Sequence, residues 1–164
     1  MDAKQEIISW LRDAYAMERS QEMALEEMSK SDRHSSECRT AAAMHLTETR
    51  QHAQLVESML RSLGSDTSTF KTSVGMIAET MKGLGTALSH DEPIKDLLAT
   101  YSIENFEIAC YMALAAAADA VGLPQVMNTC NQIVVDEQKM AAHIVKTLPG
   151  LVQEYLGATM AKAA

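Results

Sequence analysis

The sequence predicts an all-α fold, a four-helix bundle, on three observations. Apolar residues recur at steps of three and four over long stretches. The breakers fall where two tight turns and one long connection need them. Hydrophobic residues make up 47% of the chain but aromatics only 4%, so the core must be built from Ala, Leu, Ile, Val and the 12 Met, a composition that suits packed helices better than sheets. No useful length alternates with period two, so strands are not expected. The 164 residues fit one domain spanning 1–164, large enough to bury a core without disulfides or a structural metal.

Taken in order, Ile8, Leu11, Tyr15, Glu18, Glu22 and Leu25 place a first helix from about residue 4 to about residue 30. Ser31, Asp32, Arg33, His34 and Ser35 supply a turn with capping side chains. A second helix carries Ala41, His45, Glu48, His52, Leu55 and Met59 on one face, and Gly64 closes it. Phe70, Val74, Ile77, Met81, Leu84 and Leu88 form a further stripe, weakened by Gly75, Gly83 and Gly85, which reads as a crossover helix. Asp91, Glu92 and Pro93 have the acidic and proline character of a helix start, and that fourth helix should run to about Val121. After the break at Gly122, Leu123 and Pro124, a fifth helix carries Cys130, Ile133, Glu137, Met140 and Ile144. Leu148 and Pro149 are expected to end it and to start a short C-terminal helix containing Tyr155 and Leu156. Two helical hairpins joined by some 25 residues of helical crossover have the ferritin-like bundle topology.

The formal net charge of -8 repels phosphate backbones and attracts cations, which argues against nucleic acid as a partner. Cys38, Cys110 and Cys130 are odd in number and widely spaced, as free thiols in a reducing cytosol are. The first residues lack a signal-peptide pattern, and nothing approaches the roughly 18 uncharged apolar residues of a membrane span. A cytoplasmic protein with no membrane partner is expected.

The strongest sign of a site is the placement of acidic residues inside the apolar stripes. Glu18 and Glu48 each lie 15 residues from Arg33, so in an antiparallel hairpin turning there they stand at one height. Glu107 and Glu137 flank Gly122 by the same 15 residues, and both pairs repeat at an offset of 89, as an internal duplication does. Four buried carboxylates cost many kcal/mol unless they bind cations or protons, and two divalent metals answer that need. His52 adds a nitrogen one turn after Glu48, and Glu104 lies one turn before Glu107. An oxygen-rich set with little nitrogen and no thiolate favours di-iron or di-manganese over structural zinc. Against this stands the plainer reading, in which each glutamate edges its stripe in water. His45 and His143, not level with the carboxylates, read as surface or outer residues; the methionines read as core filling.

Several segments resemble the YciE/YciF group of ferritin-like stress proteins: Trp10 through Tyr15 to Glu18; His45, Glu48 and Thr49 with His52 and Leu55; Glu104, Phe106, Glu107 and Tyr111; and Asp136, Glu137 and Met140. Asp91 and Glu92, with Leu148, Pro149, Tyr155 and Leu156, look like the YciE branch. The resemblance covers nearly the whole chain. It implies a bacterial cytosolic bundle, a homodimer induced under stress, with carboxylate ligands at Glu18, Glu48, Glu104, Glu107 and Glu137. The sequence departs from the better known ferritin pattern of a Glu with a His three residues on, since Gln51 follows Glu48 at that distance and Met140 follows Glu137. The nitrogen of the second hairpin is therefore missing. The resulting expectation has Glu18 and Glu107 as terminal ligands, Glu48 and Glu137 bridging and His52 completing one metal, with Tyr15 or Tyr111 as a nearby hydrogen donor, for oxidation of ferrous iron or reduction of oxygen or peroxide. The competing expectation is a non-enzymatic structural or protein-binding module with an empty site.

Overall fold

The computed structural model of the chain describes residues 2–32, 34–67 and 93–163. They form four helices: α1 (Ala3–Lys30), α2 (Ser36–Ser62), α3 (Pro93–Ala120) and α4 (Pro124–Ala163). The described residues contain no strand. The expected crossover helix falls within 68–92, outside the described residues.

Local chemistry sets the ends. Asp2 caps α1 by accepting from the Lys4 backbone N–H at 3.2 Å, and Ser35 caps α2 by accepting from that of Cys38 at 3.2 Å. Pro93 opens α3, where a missing N–H costs nothing. Gly64 and Gly122 leave α2 and α3 with φ of 78° and 71°. Each is followed by a residue that bonds back to the helix, Ser65 N–H to Leu60 O at 2.9 Å and Leu123 N–H to Ala118 O at 2.8 Å. Gly122→Ala should therefore lower stability by about 1 kcal/mol, read as a shift of the urea midpoint, because a Cβ strains that conformation although nothing crowds it.

The expected break at Pro149 is not there: α4 continues through it to Ala163. Pro149 lies on an exposed face, where water can take the carbonyl its missing N–H leaves unbonded, so the helix tolerates it.

Helix α1 packs on α2 and α3 on α4, and the two hairpins meet through α1 against α3 and α2 against α4. The large apolar cluster includes Ile7, Leu11, Met17, Val56, Leu60, Tyr111, Leu114, Val126 and Ile133, while Leu25, Ala42 and Leu46 form a smaller one. On α1 the buried polar residues Glu18 and Gln21 fall between Met17 and Leu25, so a polar layer separates the two clusters. The buried face of α2 runs Cys38, Ala42, Leu46, Thr49, Ala53, Val56 and Leu60. It is rotated from the expected stripe: His45, His52 and Met59 belong to both, Leu55 turns outward, and Glu48 falls on the edge.

Candidate metal centre

Every helix contributes to the polar layer. Glu18 and Gln21 come from α1, His45, Thr49 and His52 from α2, Glu104, Glu107 and Tyr111 from α3, and Glu137 from α4, all of them buried. His45 and His52 are seven residues apart, two helical turns, so they stack on one face. Glu104 and Glu107 are one turn apart and Tyr111 one further turn on, which aligns all three toward the bundle axis.

Two carboxylates are held by one oxygen and free at the other. The Tyr111 hydroxyl donates to Glu18 Oε1 at 2.5 Å. Gln21 Nε2 donates to Glu104 Oε1 at 2.8 Å, and His45 Nε2 lies 3.0 Å from the same atom. Glu18 Oε2 and Glu104 Oε2 have no partner, nor do Glu107 Oε1 and both oxygens of Glu137. His52 Nδ1 lies 2.8 Å from Glu137 Oε1 and 3.9 Å from Glu18 Oε1, without hydrogen-bond alignment to either. Two sets of ligand atoms result, each within 4.8 Å of one another: Glu18, His52 and Glu137, and His45, Glu104 and Glu137. Glu137 belongs to both.

The electrostatics follow from burial and crowding. Burial pushes Glu18 up to about 8, with the Glu137 charge adding to it and His52 and Tyr111 pulling back. Burial carries Glu104 to about 7 against the pull of His45. Glu107 is raised well above the carboxylate range by burial, then by Glu18, Glu137 and Glu104. Glu137 goes the other way: burial acts to raise it, but its contacts with His52 and Glu104 hold it below its ordinary value. Burial opposes charge on both imidazoles, yet Glu104 lifts His45 to about 9, and Glu137 and Glu18 raise His52. The cluster therefore stores protons at neutral pH wherever cations do not replace them.

Of the residues the sequence singled out, the structure brings together Glu18, His52, Glu104, Glu107 and Glu137. Glu107 is buried against the others by charge but lies in neither ligand set. Glu48 stands outside: its side chain is 50% exposed, with Oε2 3.5 Å from His45 Nδ1. The duplication implied by the offset of 89 thus breaks at this position. His45, read as a surface or outer residue, is 2% exposed and supplies the nitrogen of the second set. Its sequence signal was the spacing of seven from His52. His143 is exposed, Tyr15 packs beside the large cluster, and the Tyr111 hydroxyl touches a carboxylate of the layer. The three cysteines are free, and Cys38 and Cys130 are buried.

A family model described as a domain of unknown function, DUF892, matches residues 2–157. The chain belongs to the DUF892 family. This DUF892 protein is similar over 97% of its length to a protein of Xanthomonas campestris pv. campestris, at 26% identity and a TM-score of 0.81, covering 99% of that chain. It shares its fold with the E. coli stress protein YciF, at 18% identity and a TM-score of 0.79 over 93% of this chain and 99% of that one. It also shares it with YcfI of Rhodopseudomonas palustris, at 18% identity and a TM-score of 0.72 over 88% and 93%. No described helix of this DUF892 chain is long and apolar enough to cross a membrane.

Proposed function

We propose that this DUF892 protein is a stress-associated, ferritin-like protein whose buried layer holds two divalent ions, iron or manganese, for the oxidation of ferrous iron or the reduction of oxygen or peroxide. One observation carries the reading. Five carboxylate oxygens, on Glu18, Glu104, Glu107 and Glu137, are buried without an aligned hydrogen-bond donor, Glu137 Oε1 having only its ion-pair contact with His52. Buried carboxylates crowded together are costly unless cations or protons balance them, and oxygen donors with two imidazoles are a set that iron and manganese accept. The residues present fit such a pair of ions: Glu18, His52 and Glu137 would hold one, and His45, Glu104 and Glu137 the other. The likeness of fold to a stress protein supports the stress association, and the homodimer and cytosolic setting implied by the sequence resemblance belong to the same proposal.

If bound there, a pair of redox-active ions would supply two electrons for the reduction of oxygen or peroxide. The rest is the work of the chain. Tyr111 fixes Glu18 by Oε1, and Gln21 fixes Glu104 by Oε1, so that each keeps its other oxygen free. The apolar clusters above and below the layer keep water away from it. The Tyr111 hydroxyl, held un-ionised by burial and by the Glu18 charge, keeps its proton at Oη beside that carboxylate.

One observation favours a second reading, a structural or protein-binding module without metal. The raised Glu18, Glu104 and Glu107 can carry protons that partly balance the layer by themselves. Metal analysis of protein purified without an affinity tag separates the two. The metal reading expects about two atoms of iron or manganese per chain and release of protons on loading the chelated form, since the ions displace them. No metal after anaerobic ferrous loading leaves the module.

A further inference from the structure

We propose that Glu48 and Asp136, which belong to neither ligand set, are positioning residues for the metal centre, each turning one histidine so that its inner nitrogen faces the buried carboxylates. The inference rests on the two-ion reading above and extends it outward by one layer.

Each imidazole of the layer lies between an outer carboxylate and a buried one, the outer one at the limit of hydrogen-bond distance for His45 and at ion-pair distance for His52. His45 presents Nδ1 to Glu48 Oε2 at 3.5 Å and Nε2 to Glu104 Oε1 at 3.0 Å. His52 is reversed, with Nε2 3.8 Å from Asp136 Oδ2 and Nδ1 2.8 Å from Glu137 Oε1. A histidine ligand offers one ring nitrogen to its ion and must carry a proton on the other. A carboxylate facing that outer N–H selects the tautomer, fixes the ring and makes the inner nitrogen a better donor. On each histidine a carboxylate faces the ring nitrogen that points away from the buried carboxylates, which is where a ligand histidine has its outer partner. A packed core has no need of it.

Local structure explains why these two acids serve. Glu48 lies one turn after His45 on α2, at the edge of the buried face, so its carboxylate reaches the ring from the solvent side. Asp136 adjoins Glu137 on α4, and one stretch of backbone thus sets both the shared inner carboxylate and the outer partner of His52. Their surroundings differ. Asp136 accepts from Gln132 Nε2 at 3.0 Å and from Lys139 Nζ at 2.7 Å, which divides its charge between them and His52. Glu48 has no Lys or Arg within ion-pair distance among the described residues, so it acts on His45 undivided. The loss at Glu48 should be the larger.

Titration of the chelated full-length chain with Mn²⁺ or Co²⁺ tests this. Glu48→Gln is expected to keep the wild-type number of ions and weaken one of them by about 10- to 100-fold, with Glu48→Ala more severe because it also removes the acceptor. Asp136→Asn is expected to weaken the other ion by less. The visible spectrum of the Co²⁺ form should change in each variant, which a merely structural role would not produce. Loss of one ion from Glu48→Gln makes Glu48 a ligand and overturns the proposal, as do affinities and Co²⁺ spectra unchanged in all three variants. A wild-type chain that takes up no ion overturns the two-ion reading and this extension together; unchanged variants of a loaded wild type overturn the extension alone.

Discussion

Glu137→Gln is expected to empty both halves of the centre at once, taking the metal content from about two atoms per chain to near zero. Glu18→Gln and Glu104→Gln should each empty one half. The difference follows from geometry. Glu137 is the residue common to the two ligand sets, and both of its oxygens lack hydrogen-bond partners. The loss of affinity should exceed the roughly 10- to 100-fold that an outer partner costs, because a donor atom is removed from each ion. The metal-free protein does not benefit from the change either. Glu137 is the carboxylate held ionised by its contact with His52 and by the His45 charge, and its loss strands buried imidazole charge. Truncating one member of a buried ion pair costs on the order of 3–5 kcal/mol, so the urea midpoint in chelator should fall. Retention of one full-affinity ion by Glu137→Gln would show that the two sets do not share it.

Helical periodicity and turn chemistry made the bundle legible before any coordinates. Ser35, Gly64, Gly122 and Pro93 each act where local chemistry assigns them, since caps and left-handed glycines depend on a few neighbours. Pro149 misled because a proline signals a break only where its missing hydrogen bond cannot be met, and exposure at that point depends on the tertiary fold. The site was legible in part for a related reason. Counting residues from a hairpin turn sets the height of Glu18, Glu48, Glu107 and Glu137 along the bundle but not the direction in which each points. Rotation of α2 is decided by packing of Leu46, Ala53, Val56 and Leu60, and it turns Glu48 to the rim while His45 stays inward, one turn before the height counted from the hairpin turn. Tyr111 was legible as one of two candidate hydrogen donors on the ligand helices, but Gln21 left no signal, because an isolated Gln on a helix looks the same whether or not a carboxylate meets it.

In chelator, the protein should lose stability steadily as the pH rises from about 5 to about 9, against the usual broad maximum near neutrality. Glu18 titrates near its ordinary 4.5 when unfolded and at about 8 when folded, and Glu104 at 4.5 and about 7. The folded chain therefore binds more protons than the unfolded chain through this range. The contribution is fully present below the unfolded value and is lost as the pH passes the folded one. His45 has the same sign, from 6.5 to about 9, and extends the window upward. Glu107 and His52, both raised, add to it. For Glu18 alone the span corresponds to on the order of 5 kcal/mol, as large as the whole stability of many domains. Glu137 is held low and has the opposite sign, so its protonation lowers stability only as the pH falls below about 4.5. Urea midpoints at pH 5, 7 and 9 with chelator should fall in that order. With Mn²⁺ present the ordering should flatten or reverse, because the ions take the places of the protons and bind more tightly as those protons leave. A midpoint in chelator that stays level across this range would mean that water reaches the layer and the carboxyls titrate as they do in solution. The unpartnered oxygens of Glu18, Glu104, Glu107 and Glu137 would then need no ion.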